Sequence, residues 1–172
     1  ICKFDFNIKT KNMFGVNFIK FDSMTYVIKF KNGQVAKEGR GLSFFYYEPT
    51  TSISAVPIGS SNLPFIFNES TKDYQTITIQ GQITYKISNP KQLADILDFT
   101  VDSKGVYKKD DTEKLNQTIV NESQTATSAF IHQLGLKEAI RSAKSVEKNI
   151  TEGLLSSTAI KLLGIEILSI NI

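Results

Sequence analysis

Thr71-Lys72-Asp73-Tyr74-Gln75-Thr76-Ile77-Thr78-Ile79-Gln80-Gly81-Gln82-Ile83-Thr84-Tyr85-Lys86-Ile87 is the stretch whose pattern decides the fold. Ile77, Ile79, Ile83, Tyr85 and Ile87 share one parity, while Gln80, Gln82, Thr84 and Lys86 share the other. Period-two alternation puts the first set on one face of a strand and the second on the opposite, watered face. Gly81 interrupts the apolar row, which predicts a bulge, a bend or a close backbone approach. The pattern runs from Tyr74 to Ile87, longer than most strands, so a bend is expected near Gly81.

Upstream, the sequence reads as further strands. Phe4, Phe6 and Ile8 alternate with polar residues, and 24–31 is rich in β-formers. Asn32-Gly33 then marks a two-residue hairpin turn before 34–37. Gly39 and Gly41 punctuate the next turn, and an aromatic run, 42–47, ends before Pro49. Residues 52–58 and 64–67 read as short strands, with Gly59-Ser60-Ser61-Asn62 as the loop between them.

Downstream, the period changes to that of helices. Asn89 and Pro90 suit the N-cap and first position of a helix, with Leu93, Ile96 and Leu97 as its apolar stripe. Residues 102–111 read as an exposed loop around Gly105. A long helix is expected from about residues 110–112, with Leu115, Ile119, Ala126 and Phe130 on one face, ended by Gly135. A helical turn over 136–140 and a last helix over 145–163 follow, stopped by Gly164. Residues 165–172 read as a closing strand whose apolar residues on both parities predict two buried faces. The fold class is therefore α+β.

The long strand also carries a resemblance. The order T-K-D, alternating Thr and Ile, a central glycine, Tyr85-Lys86-Ile87 and Asn89-Pro90 resembles the central strand of the SPFH or band 7 superfamily of stomatins, prohibitins and flotillins. Gly39-Arg40-Gly41-Leu42-Ser43-Phe44-Phe45 is similar to that family's Gly-Pro-Gly-Leu-x-Phe turn, and 163–172 is similar to its Trp-Gly-Ile-x-Val closing strand. Arg40 stands where the family has proline, and Leu163 where it has tryptophan. The resemblance covers roughly Tyr26 to Ile172 and rests on three blocks in order. It marks Gly39, Gly41, Gly81, Tyr85, Pro90 and Gly164 as fold-defining. It implies one SPFH-type domain over 1–172, mainly β over 22–88 and mainly α with a terminal strand over 89–172, with 1–21 a β extension. It also implies a membrane-associated, non-enzymatic scaffold that oligomerises and organises lipids or partners, membrane proteases among them, with no cofactor. A soluble adaptor of the same fold is the alternative.

Composition is consistent with such a role. The chain has 172 residues, 41% hydrophobic and 22% charged, with a net charge of +3. That is enough for a buried core and too weakly basic to imply nucleic acid. It holds one cysteine, Cys2, and one histidine, His132. One of each is too few for a zinc site, and His132 near a helix end suits the helix dipole. Asp110, Asp111 and Glu113 fit helix-start acids better than a calcium loop. Gly39-Arg40-Gly41 lacks the Gly-Lys-Ser/Thr of a phosphate loop. Asn68, Asn116, Asn121 and Asn149 sit in glycosylation sequons, three of them on expected helices. No catalytic, cofactor or metal residue is therefore assigned.

Charge placement is more telling. Residues 1–37 hold seven lysines, at 3, 9, 11, 20, 29, 31 and 37, against Asp5 and Asp22, a local net charge of +5. Such an end is drawn to anionic headgroups at about 1 kcal/mol per lysine near the surface. Phe44, Phe45, Tyr46 and Tyr47 could add an interfacial anchor, so Lys29, Lys31, Lys37 and these four aromatics form the candidate membrane-facing set. The plainer reading is a solvated basic face over an aromatic core. The chain starts at Ile1, and no run approaches the ~20 apolar residues of a transmembrane helix. The expectation is a soluble piece, monomeric or weakly oligomeric, of a protein at the cytoplasmic face of a membrane.

Overall fold

The structure, a computed structural model, describes residues 11–13, 16–109 and 111–172. The strand expected around Phe4 to Ile8, Lys3, Lys9, Cys2 and Asp110 lie outside the described residues. The fold is α+β, with antiparallel sheets through the first half and helices plus a closing strand in the second. Two compact units are built from alternating segments. One takes the described residues up to Gly59 together with Pro90–Thr112. The other takes Ser60–Asn89 and Glu113–Ile172.

The first unit holds two sheets. Strands β1 (Lys11–Met13), β2 (Val16–Lys20) and β5 (Ser43–Tyr47) form one, in the order β1-β2-β5. Strands β3 (Thr25–Lys31), β4 (Gln34–Arg40), β6 (Thr51–Pro57) and β9 (Thr100–Val101) form the other, in the order β4-β3-β6-β9. Asn32 and Gly33, with φ of 52° and 81°, make the β3–β4 turn with Lys31 opposite Gln34. Positive φ at both central residues is what a tight right-twisting hairpin needs, and Asn-Gly supplies it at least strain. Ile19, Phe21, Val27, Phe44, Tyr46, Ile53, Ala55 and Val101 bury one core, flanked by Leu42 and Tyr107.

Strand β6 is buried on both parities, because helix α1 (Pro90–Ile96) packs against it and buries Leu93. Ile96, expected in the same stripe, is exposed; a helix of seven residues presents little more than one turn to its sheet. The loop expected over 102–111 is anchored at its centre. Tyr107 bridges to Val101 and donates its hydroxyl to Ala55 O at 2.8 Å. Burial pushes that hydroxyl's pKa far above the usual tyrosine value.

The second unit is a three-stranded antiparallel sheet with helices. Strands β7 (Ser61–Ser70), β8 (Thr76–Ile87) and β10 (Ile165–Asn171) lie in the order β10-β8-β7. Helices α2 (Asp111–Ile131), α3 (Leu136–Arg141), α4 (Ala143–Ser156) and α5 (Thr158–Leu162) accompany them, α4 and α5 against β10. The expected inward row of β8 is inward: Ile79, Ile83, Tyr85 and Ile87 are buried.

Three expectations are corrected, and of the readings given for Gly81 the close approach holds. Strand β7 is longer than 64–67 and takes Ser61 and Asn62 out of the loop. It pairs with β8 along its length, reinforced on the outer face by Thr84 donating to Asn62 and Thr78 to Asn68. Gly81 makes no bulge, since the β7–β8 register is unbroken from Ser61 opposite Tyr85 to Ser70 opposite Thr76. It is instead a close-approach glycine, its Cβ space taken by Asn171 O and the Phe65 ring. The bulge lies in β10, between Ile167 and Ser169. One extra residue reverses the alternation, so Ile165 and Ile170 are both buried while Leu168 is exposed. Apolar residues on both parities thus record a phase shift, not two buried faces. Lastly, the helix expected over 145–163 is broken at Ser157, whose hydroxyl accepts the Ile160 N–H and starts α5. Serine is a strong N-cap.

The buried stripe of α2 differs from the expected one as well. Leu115, Ile119, Ser123, Thr127 and Ile131 are buried at intervals of four, and Ala126 and Phe130 are half-buried. Ser123 and Thr127 bury their hydroxyls by donating them to the carbonyls of Ile119 and Ser123, at 2.7 and 2.8 Å. Intrahelical bonding lets small polar residues occupy a core face.

Candidate functional site

The turn between β7 and β8 shows what the T-K-D sequence does. The Thr71 N–H donates to Gln75 O, its hydroxyl accepts the Gln75 N–H, and the Tyr74 N–H donates to Thr71 O. The Lys72 N–H donates to Leu134 O at 2.9 Å, and the Asp73 carboxylate accepts the Leu136 N–H at 3.1 Å. Asp73 thus caps α3 from a distant part of the sequence. The tight turn puts Tyr74 at φ 61° with its ring 92% exposed.

The other resemblance residues hold junctions. Tyr85 donates its hydroxyl to Asn116 Oδ1 at 2.7 Å, tying β8 to α2. Gly164 O, between α5 and β10, accepts the N–H groups of Ser88 and Asn89 and the Ser88 hydroxyl. Pro90 opens α1, and Gly39 and Gly41 lie at the end of β4 and just beyond it. The Gly41 N–H donates to Thr25 O.

The candidate membrane-facing set lies wholly in the first unit, and strand alternation divides it. Phe44 and Tyr46 point into the core and leave the outward set, because side chains on β5 alternate between faces. Phe45 is 69% exposed and Tyr47 51% exposed. Their partners on β2 are Phe18 and Val16, so the outer face of the β2–β5 pair is an apolar row. The Phe18 and Phe45 rings stack at a tilt with centroids 4.9 Å apart. Lys20, of the same parity as Phe18, ends the row.

β5 is an edge of its sheet among the described residues, and Lys29 reaches it from β3. Lys29 Nζ donates to Phe45 O at 3.1 Å and lies 4.7 Å from the centre of the Phe44 ring. Lys37 is its direct partner across the β3–β4 pair, and Lys31 shares its face two residues on. Burial lowers the Lys29 ammonium pKa, and the neighbouring charges of Lys31 and Lys37 lower it further. Among the described residues none of these three lysines forms an ion pair, and the nearest exposed carboxylate along β5 is Glu48, next to Tyr47. Inside the same strand, the Tyr46 hydroxyl is buried without a hydrogen-bond partner among the described residues; burial and then Glu48 raise its pKa, against a smaller lowering by the nearby Asn17 side chain.

Among the described residues, the groups considered for chemistry do not come together. His132 is exposed, just beyond the end of α2. Asp111 is buried and accepts the Asp98 N–H at 2.9 Å, while Glu113 is exposed. The Asp98 carboxylate is held below its ordinary pKa, first by hydrogen bonds from Thr100 and then by Lys109 at 3.3 Å. Among the described residues no group of three or more metal-ligating side chains gathers, and no helix is long and apolar enough to cross a membrane. The sequon residues Asn116, Asn121 and Asn149 lie on helices, and Asn68 on β7.

Sequence reasoning missed several residues. Tyr107, Ser123 and Thr127 gave no periodic signal. Phe45 and Tyr47 could have been separated from Phe44 and Tyr46 by alternation, had the aromatic run been read as a strand with one wet face.

No curated protein matches the chain. The family described as SPFH domain / Band 7 family matches residues 20–172, most of the sequence. With the strand ladder, the capped T-K-D turn and the closing strand in place, the chain belongs to the SPFH domain / Band 7 family, a family of membrane-associated scaffolds.

Proposed function

We propose that this chain is a non-enzymatic scaffold that rests on an anionic membrane surface, at the cytoplasmic face, through the outer face of β2 and β5. The observation that carries this reading is the row of exposed Val16, Phe45 and Tyr47 with half-buried Phe18, beside Lys20, Lys29, Lys31 and Lys37. Aromatic rings favour the headgroup level of a bilayer, and each lysine near an anionic surface adds about 1 kcal/mol at ordinary ionic strength. Four lysines and two exposed rings make a reversible, salt-sensitive contact, suited to a protein that gathers into larger assemblies. Copies of the same chain are its first partner, and membrane proteins, a protease among them, are what such an assembly would organise.

Co-sedimentation with phosphatidylserine-containing vesicles tests the lipid contact. Binding at low salt that fades as salt rises, and is weak on neutral phosphatidylcholine, is the expected result. Equal binding to both vesicle types, or none to either, refutes it.

A further inference from the structure

A second surface lies on the second unit, between the outer edge of β7 and α2. It is a polar groove of about 620 Å³, lined by Asn68, Glu69, Asn121, Gln124, Thr125 and Ser128 among others. Asn121, Gln124, Thr125 and Ser128 share one side of α2 by their spacing of three and four, next to the buried stripe.

Glu69 is the odd member. It continues the inward row of Phe65 and Phe67 and is 6% exposed, so a carboxylate occupies a core-facing position. Among the described residues its one hydrogen bond is from Gln124 Nε2 to Oε1, at 3.2 Å, and no lysine or arginine forms an ion pair with it. The groove lining contains no lysine or arginine either; its one other titratable side chain is His132, exposed just beyond the end of α2. A buried carboxylate with a single neutral donor is costly unless a cation completes it.

The neighbouring strand edge supplies the second half of the site. β7 is an edge of its sheet among the described residues and carries Pro64. A proline in an edge strand turns its nitrogen away from the ladder. Antiparallel residues alternate their backbone groups between the two sides, so Ile66, Asn68 and Ser70 turn their N–H and C=O groups to the open side. Glu69 lies between two of these positions and faces the groove floor.

We propose that this groove binds an extended, basic peptide segment. The segment pairs its backbone with the open edge of β7 from Ile66 to Ser70 and lays a lysine or arginine side chain across from Glu69. Backbone pairing gives it strand geometry, and the carboxylate selects the cation at one cross-strand position. The groove lies wholly in the second unit, so this inference stands apart from the lipid-facing surface.

The test uses a fluorescein-labelled, end-capped octapeptide of alternating threonine and valine with one central lysine, titrated by fluorescence anisotropy with the whole chain. Two companion peptides replace the lysine by norleucine or N-methylate the backbone around it. The lysine peptide is expected to bind about tenfold or more tightly than the norleucine one, the scale of a hydrogen bond to a charged group. E69Q keeps the side-chain shape and should erase that preference. T125R, at an exposed helix position, should place a guanidinium in the groove and abolish binding, with the fold of both variants checked by circular dichroism. Equal affinity of the lysine and norleucine peptides, a preference that survives E69Q, or no binding to the parent chain overturns the proposal. Undiminished binding of the N-methylated peptide also overturns it, and would point to a small amine as occupant.

Discussion

Replacing Gly81 by alanine tests whether the two edge strands close on β8 as described. The added Cβ would lie against the Asn171 carbonyl oxygen and 2.7 Å from Phe65 Cζ. Carbon atoms rest about 3.5–4.0 Å apart, so the Phe65 ring must retreat by roughly 1 Å. The ring is nearly fully buried and stacked on Phe67 at 4.6 Å, which leaves it little room. The Asn171 oxygen is backbone, so β10 must also move, straining its pairing with β8 at Asn171 opposite Gln82. Overpacking with backbone displacement costs about 3 kcal/mol, the upper part of the usual range. At about 2–4 °C per kcal/mol for a chain of this size, G81A should melt roughly 6–12 °C lower. Urea unfolding followed by circular dichroism reads the difference directly. G33A is the control: nothing lies within 4 Å of its Cβ, but φ is 81°, so it should cost only about 1 kcal/mol through backbone strain. If G81A stays within about 0.5 kcal/mol of the parent, or costs less than G33A, the close approach at the centre of β8 is wrong.

Three further outcomes follow from individual side chains. Y46F removes a buried hydroxyl that has no partner among the described residues and should stabilise by about 1 kcal/mol in urea unfolding, since an unsatisfied polar group is a net cost; a loss of stability would mean the hydroxyl is bonded. Y74G relieves φ 61° at a ring that is 92% exposed and should raise stability by about 1 kcal/mol, measured by thermal melting. Asp98 has its folded pKa below its unfolded value. Its stabilisation is therefore present above the unfolded carboxylate pKa of ~4 and is lost as pH falls through the folded value. D98N should flatten the acid side of the stability profile and leave its slope near neutral pH unchanged, read as urea midpoints across pH.

Much of the fold was legible because period-two and helical patterns report which face is buried. The β8 ladder from Thr76 on, the Asn32-Gly33 turn, α1 beginning at Pro90 and the start of α2 are local signals that survive folding, whereas Tyr74, expected to open the strand, lies in the turn before it. What was not legible depended on tertiary partners. The phase change at Leu168 exists only because β10 bulges against β8. Ser123 and Thr127 look like surface residues of a helix, and only hydrogen bonds to the preceding turns make their burial tolerable. Tyr107 sat in a polar stretch, and its anchoring needs the Ala55 carbonyl from β6.

The candidate lipid face was half legible. The lysine excess can be counted in the sequence, but Lys29 reaching the Phe45 carbonyl across the edge of β5 cannot. The aromatic run looked like a single anchor, whereas Phe44 and Tyr46 belong to the core and Phe45 and Tyr47 to the surface. Glu69 did leave a trace, a charge on the buried parity of 65-67-69, visible only once that segment is read as a strand.

The lipid-facing reading is tested most directly by placing one tryptophan in the proposed contact. The chain contains none, so F45W gives a single emitter on the outer face of β5. Added phosphatidylserine vesicles should shift its emission to shorter wavelength and expose it to quenching by brominated acyl chains, reversibly with salt, while I66W on β7 stays unchanged. An unshifted, unquenched F45W on vesicles that demonstrably carry the protein would contradict the account.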